Sequence, residues 1–211
     1  MPDQFKCKLF SINLVQPVGK LNDAKIALIR SRMGNRFPLT ATPDDNPALL
    51  FFLNPSQQES LIIGPNQIGV QIEGDDIAPD IDLMTSWLED VVSALVLSEV
   101  SAFSIRCVAH YSAEGANAAQ ASLGSLKNSS EIEDLVPDTW GVGLRFLRRG
   151  SGTTPMSELK VEPLLHDPSF YFVEAMHNMP ETTMLAEVAA VAKHAYHETK
   201  ESIMKLIRRL S

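Results

Sequence analysis

Hydrophobic and polar positions alternate in some parts of the chain and recur every three to four residues in others. Alternation is typical of half-buried strands, and the longer period is typical of amphipathic helices. A continuous apolar run such as residues 48–54 indicates a strand covered on both faces. The pattern predicts strands over residues 7–15, 48–54, 60–63, 67–73, 103–110, 140–148, 157–162 and 169–177. It predicts helices over residues 21–34, 80–98, 114–127 and 181–210.

These predicted elements form one order that is written twice. Each half reads strand, helix, three strands and helix, and residues 10–15 match residues 103–108 at four of six positions. A three-stranded sheet with one helix cannot bury both faces, so two halves that pair strand to strand would make one wider sheet. The sequence predicts an α+β domain of two pseudo-symmetric halves, residues 1–99 and 100–211, with a mostly antiparallel sheet packed by helices.

Composition narrows the classes of function. The 211 residues are 45% hydrophobic, enough for a substantial core, and the formal net charge of -8 argues against nucleic-acid binding. Cys7 and Cys107 lie in strand-like runs and resemble neither a disulfide framework nor a zinc ligand pair. The amino-terminal residues carry no apolar signal core, and the longest apolar runs are too short to span a bilayer, so we expect a cytoplasmic protein without membrane contact.

The final predicted helix carries the most tempting cluster of metal ligands. Histidines and carboxylates at helical spacing can share a metal ion. Their side chains fall within a sector of roughly 100°, opposite the apolar stripe of the same helix. We therefore interpret the cluster as a solvated face and predict no bound metal and no cofactor. The cluster consists of Glu187, His194, His197, Glu198 and Glu201.

Four arginines are the candidate ligand-binding residues. Arg106 and Arg145 lie within apolar strands, where a charge needs a partner such as Glu73, Glu99 or Glu174, or else lines a pocket for an acidic ligand. Arg148 and Arg149 open the segment over residues 148–154, whose glycines and hydroxyls resemble an anion-binding loop. That segment lacks the spacing of a phosphate-binding loop and joins two predicted strands, so we interpret it as a hairpin connection.

Two pairs of residues suggest catalysis but lack the geometry for it. Cys107 and His110 lie on one predicted strand, where a separation of three places them on opposite faces. His166 and Asp167 precede a proline and are typical of a turn. No catalytic motif is recognisable, and no catalytic residue can be assigned.

Two predicted strands are apolar at both odd and even positions, so both of their faces need cover. They lie over residues 48–53 and 169–173. If the helices cover one face, the other needs a second copy, another protein or an apolar ligand, and we predict a homodimer or a protein partner. Alternatively, the helices at 21–34 and 114–127 fold over that second face. We expect a core of Leu50, Phe52, Ile62, Val70, Leu88, Val91, Ile105, Leu144, Phe146, Phe172, Val188, Tyr196 and Ile203.

The duplicated element order resembles the saddle-shaped fold of the TATA-binding protein, and also helix-grip folds, in which a curved sheet wraps a long final helix. The chain also resembles a sporadically distributed family of uncharacterised bacterial proteins, through Trp87 in a helix, Arg106 in the following apolar strand and the long final helix. Three hypotheses for function follow. They are a non-catalytic binding or interaction protein, a small-ligand enzyme with a pocket between sheet and helix, and an accessory subunit of a phage- or defence-linked assembly.

Overall fold

The computed structural model describes residues 4–97, 100–113, 117–125, 140–149, 156–179 and 185–210. Within these ranges the chain forms nine strands and four helices. The strands are β1 (Phe5–Val15), β2 (Leu39–Ala41), β3 (Leu50–Asn54), β4 (Glu59–Gly64), β5 (Gln67–Glu73), β6 (Ala102–Ser112), β7 (Leu144–Arg148), β8 (Met156–Pro163) and β9 (Phe170–Met179). The helices are α1 (Asp23–Met33), α2 (Ile81–Ala94), α3 (Ala118–Gly124) and α4 (Leu185–Leu210).

All nine strands form one antiparallel sheet in the order β2-β3-β4-β5-β1-β6-β9-β8-β7. The predicted α+β class with an antiparallel sheet and packing helices is therefore confirmed. The strands before α2 lie on one side of β1, and those after α3 lie on the other side of β6, so β1 and β6 meet at the centre. That the two halves are a true duplication divided near residue 99 stays a prediction.

Side-chain caps fix where the helices begin. The side-chain oxygen of Asn22 accepts a hydrogen bond from the Lys25 N–H at 2.9 Å, and that of Asp80 accepts one from the Leu83 N–H at 3.0 Å. These acceptors satisfy donors that the first helical turn leaves without an intrahelical partner. Helix α1 ends at Gly34, whose φ of +56° is easy for a residue without a Cβ atom.

The core lies between the helices and one face of the sheet. Along β6 every second residue is buried, from Phe103 to Tyr111. Helix α4 lays Tyr196 against the sheet, where its ring meets Phe10 edge-on at 5.6 Å between centroids. Cys7 and Cys107 are buried free thiols whose Sγ atoms lie 3.9 Å apart on neighbouring central strands. The hydrogen bond with Cys7, followed by burial, raises the pKa of Cys107, which keeps this thiol protonated at neutral pH.

The predicted core is correct for most of its thirteen residues, but Phe146 is exposed, and Ile62 and Phe172 project from the face of the sheet opposite the helices. Eight of the expected residues are buried, namely Leu50, Phe52, Val70, Leu88, Val91, Ile105, Val188 and Ile203. Four are half-buried, namely Ile62, Leu144, Phe172 and Tyr196. Phe146, expected to be buried, is 43% exposed. The prediction was wrong because β7 is the outermost strand, with a neighbour on one side only.

The element bounds differ from expectation mainly at the edges. Strand β2 was not predicted, because three residues are too few for a period to show. Strand β7 begins at Leu144 rather than at residue 140. The ends of the predicted helix over 114–127, and the start of that over 181–210, lie outside the described residues. No helix in the described ranges is long and apolar enough to cross a membrane.

Candidate functional site

The four described helices pack on one face of the sheet. Helix α1 packs on α2, α2 packs on α4, and α3 contacts both α4 and β8. The alternative in which α1 and α3 cover the second face is therefore wrong. We call that second face the open face, because no described helix covers it. Exposed apolar side chains in four strands project from it, namely Val15, Leu39, Leu147 and Met156, each at least 51% exposed.

One end of the open face carries an uncharged apolar block across β2, β3 and β4. We call it the apolar patch and define it as Leu39, Ala41, Phe51, Leu53 and Ile62. The register pairs Leu39 with Leu53, and Ala41 with Phe51, which in turn pairs with Ile62. Cross-strand neighbours on one face lie close enough for their side chains to touch, so the five residues form one continuous surface.

The other end of the open face carries a chain of ion pairs, which we call the ion ladder. Arg106 Nη2 lies 2.7 Å from Glu174 Oε1, and Lys160 Nζ lies 3.0 Å from Glu174 Oε2. Lys160 Nζ also lies 3.9 Å from Glu158 Oε1, and Arg145 Nε lies 2.7 Å from the same oxygen. Three cations therefore alternate with two carboxylates across β6, β9, β8 and β7.

Glu174 is the central carboxylate of the ion ladder. Its partial burial by itself raises the pKa of this carboxyl, but hydrogen bonds from Lys160 and Arg106, together with their charges, outweigh that effect. The pKa of Glu174 consequently lies below its usual value, and the group is ionised at neutral pH. The two carboxylates of the ladder offset two of its three cations, which leaves one net positive charge.

On the helix side, a cavity of about 400 Å³ lies between the outer strands β7 to β9 and helix α4. Its apolar walls include Phe146, Leu159 and Leu206, and the small residue Ala175 leaves room between them. Arg148 of β7 forms an ion pair with Glu198 of α4 at the rim. The volume is within the range of small-molecule pockets.

A buried histidine forms the polar part of this cavity. His177 is 5% exposed; its Nδ1 atom lies 3.0 Å from Ser157 Oγ, and its Nε2 atom lies 3.0 Å from Thr199 Oγ1. Burial is the main cause that lowers the pKa of His177; Arg148 and His194 act in the same direction and Glu198 opposes them. The imidazole is therefore neutral at pH 7, and each hydroxyl can complement one ring nitrogen.

The structure separates the four candidate arginines. Arg106 pairs with Glu174, one of the three partners considered, whereas Arg145 pairs with Glu158. Both belong to the ion ladder on the open face, while Arg148 lines the cavity on the opposite face. Arg149 is exposed next to Arg148, and the rest of the expected anion-binding loop lies outside the described residues.

The residues considered as metal ligands lie on α4, and those considered as catalytic pairs lie in β6 and in the turn after β8. On α4, Glu187, His194, His197 and Glu201 are exposed, and no group of three such ligands occurs among the residues the structure describes. Cys107 is buried on the helix side and His110 lies on the open face, as strand geometry predicts. Asp167 accepts a hydrogen bond from the Ser169 N–H at 3.0 Å in the turn between β8 and β9.

Sequence reasoning did not single out the His177 cluster. A signal was present, because His177 follows Tyr171, Val173 and Ala175 at the alternating positions that face the helices. Thr199 likewise lies on the buried stripe of α4, between Ala195 and Ile203. A polar residue in a buried register needs a partner, so the two positions together could have indicated a contact.

Replacing His177 with glutamine should make the free energy of unfolding depend less on pH at acid pH. An unfolded chain takes up a proton on this histidine as pH falls through about 6.5, whereas the folded chain, with its lowered pKa, resists. The contribution to stability is therefore complete above about pH 6.5 and is lost as pH falls through the folded pKa. Urea unfolding at about pH 7 and about pH 5 measures the slope.

The control for that experiment is His166→Gln, because His166 is exposed in a turn. His110, whose pKa is also lowered chiefly by burial, remains in both variants and leaves a residual slope. An unchanged slope in His177→Gln would show that the buried imidazole does not carry the acid sensitivity.

The comparison with solved structures finds several similar chains, among them a TATA-binding protein. The TATA-binding protein of Methanococcus jannaschii is similar over 98% of each chain, with a TM-score of 0.41 and 9% sequence identity. No protein-family model matches the sequence, and no curated protein matches it. A similarity of this size carries no inference about DNA binding, and the resemblance to the bacterial family stays a prediction.

Proposed function

We propose that this chain is a non-catalytic interaction protein and that its open face is the surface that binds another protein. The observation that carries the proposal is the apolar patch, whose side chains the strand register places next to each other on β2, β3 and β4, with Leu39 52% exposed. Apolar side chains that a fold leaves on one continuous sheet face are the usual mark of a protein interface.

The ion pairs of the ion ladder favour a protein over a nucleic acid as the partner. Arg106, Lys160 and Arg145 each lie within ion-pair distance of a carboxylate. Binding to a phosphate backbone gains free energy when protein cations displace the counterions of the phosphates, and a ladder in which two carboxylates offset three cations brings one net positive charge to that exchange. The net charge of -8 acts in the same direction.

The occupant we propose for the open face is a second copy of the chain, which gives a homodimer. The apolar patch holds no charged residue, so two patches can meet without bringing like charges together. Homodimers with twofold symmetry are the commonest assemblies of soluble proteins. If the twofold axis lies across the strands, patch meets patch and ladder meets ladder. An axis along the strands would instead place the patch against the ladder and bury charges against apolar side chains.

The test is a charge placed in the apolar patch. Leu39 is 52% exposed, so Leu39→Glu should leave the fold intact while it puts two like charges into a twofold interface. We expect sedimentation equilibrium at micromolar concentration to show a dimer for the natural sequence and at least tenfold weaker association for the variant, about 1.4 kcal/mol.

The matched control is Leu165→Glu, the same change at a 78% exposed leucine in the turn between β8 and β9. It should leave the dimer unchanged. A strict monomer, or a dimer that Leu39→Glu does not weaken, would overturn the proposed interface.

A small-ligand enzyme is the second candidate, and the cavity between the sheet and α4 favours it. Ser157 and His177 are in contact, as a nucleophile and a base would be. The other ring nitrogen faces Thr199 and not a carboxylate, so the pair lacks the group that usually orients a catalytic base. We rank catalysis second for this reason. An accessory role in a larger assembly would use the open face in the same way as the dimer.

A further inference from the structure

The cavity beside α4 combines apolar walls with a floor of hydroxyl groups. Phe146 and Leu159 come from the sheet and Leu206 comes from the helix. Ser157, Thr199 and Ser202 supply hydroxyls from both sides. A pocket of this kind holds the body of a small molecule by apolar contact and orients it with a few hydrogen bonds.

The floor of the cavity is uncharged. His177 offers no positive charge at neutral pH, and its two nitrogens lie against Ser157 Oγ and Thr199 Oγ1. A hydroxyl group carries one donor and two acceptor sites, so each of these side chains keeps two sites beyond the one that faces His177. The floor can therefore both donate to and accept from a ligand without a change in charge.

Three charged residues line the cavity: Arg148 and Glu198 form an ion pair with each other, and Glu158 pairs with Arg145 on the open face. The side chains of Arg148 and Glu198 are 57% and 26% exposed. An anionic ligand group would have to displace Glu198 from Arg148, and a cationic one would have to displace Arg148. A charged group pushed past the rim would lose its hydration against a neutral floor, which is costly.

From this arrangement we infer that the cavity binds a small uncharged molecule with an aromatic or alicyclic body and a hydroxyl or carbonyl group, and that the polar group points to Ser157 and Thr199. The volume of about 400 Å³ accommodates a body of two fused rings. This site lies on the opposite face of the sheet from the apolar patch and does not depend on self-association.

Two probes that share one ring system but differ in charge test whether the cavity prefers uncharged ligands. We propose titrating the full chain with 2-naphthol and with 2-naphthoate at about pH 7, and following the backbone amide resonances of Ala175 and Thr199 by NMR. We expect saturable shifts with 2-naphthol and at least tenfold weaker binding of 2-naphthoate, since a tenfold ratio is about 1.4 kcal/mol. Equal or tighter binding of 2-naphthoate would overturn the assignment to uncharged ligands.

Two filling variants test the location. Ala175→Leu occupies the space from the sheet side and Ser202→Leu from the helix side, so each should abolish the 2-naphthol shifts. Ala175 is buried and could tolerate the larger side chain poorly, whereas Ser202 is half-buried, so the second variant keeps the test valid if the first does not fold. Val108→Leu, on the open face of neighbouring β6, is the control and should bind normally.

Two outcomes would overturn the site. One is the absence of saturable binding to the folded natural chain at millimolar 2-naphthol. The other is binding that persists unchanged in a folded Ser202→Leu protein, because the probe would then occupy a different place. Neither outcome bears on the Leu39→Glu experiment, so the cavity and the open-face interface succeed or fail separately.

Discussion

Leu88→Ala should lower the free energy of unfolding by about 2–5 kcal/mol, the usual cost of a cavity left by a buried leucine. Leu88 has no exposed surface, and it lies on the buried stripe of α2 between Met84 and Val91. The surrounding side chains belong to a sheet and a helix that are held by many other contacts, so they cannot close the space completely. Chemical denaturation followed by circular dichroism measures the change.

The matched comparison is Phe146→Ala, which removes a larger side chain from a less enclosed place. Because Phe146 is 43% exposed on the outermost strand, its truncation should cost at most about half as much as Leu88→Ala. Equal losses at the two positions would mean that Phe146 is buried in solution, for example by an additional contact over the cavity.

Removal of Arg36 should be the second large loss, about 2–4 kcal/mol. Glu59 of β4 faces the helices with only 6% of its side chain exposed, and Arg36 forms an ion pair with it while lying 5.1 Å from the Trp87 ring centroid. In Arg36→Ala the Glu59 carboxylate keeps the Asn54 amide, at 3.2 Å, as its side-chain donor within the described part of the chain. A buried charge that loses its counterion is strongly destabilising. Because Arg36 is itself partly exposed, we expect a loss of stability in the lower part of the range given above.

Two controls identify the cause of that loss. The double variant Arg36→Ala/Glu59→Gln should recover part of the stability, because it removes the orphaned charge. Lys193→Ala breaks a solvent-exposed pair with Asp82, in which Nζ and Oδ1 lie 2.6 Å apart, and should change stability little. If Arg36→Ala proves as mild as Lys193→Ala, the Glu59 carboxylate is hydrated in solution.

Most elements could be predicted because their periods are strong. β6 alternates over its whole length, and the apolar stripe of α4 recurs over 26 residues, so neither needs tertiary information to be recognised. The expectations that failed concern burial, which depends on the strands that lie next to a given strand. β7 and β3 share leucine, phenylalanine and leucine at the same positions, yet in the described sheet β3 pairs on both sides and β7 on one, so the burial of the shared residues differs.

The candidate sites could be predicted less well, since each depends on contacts between distant residues. The sequence marked Arg106 and Arg145 as charges in need of partners, and Glu174 and Glu158 meet them across strand pairings that the sequence leaves open. The cavity is harder still. His177, Ser157 and Thr199 come from two strands and a helix, and only the packing of α4 against the outer sheet brings them together.

The pairing of β1 with β6 has a consequence for how the chain reaches its fold. The paired residues run from Phe5 opposite Tyr111 to Val15 opposite Ala102, so the centre of the sheet joins residues about a hundred positions apart. Such long-range pairing makes folding slow, because the chain loses the entropy of closing a long loop before the strand contacts form. Until β6 arrives, β1 presents an unpaired edge of eleven residues with alternating apolar side chains, to which a β6 strand from another molecule could also pair. Folding at high concentration is therefore open to strand exchange at this seam, the one place where the two halves of the sheet are joined by strand pairing in the described structure.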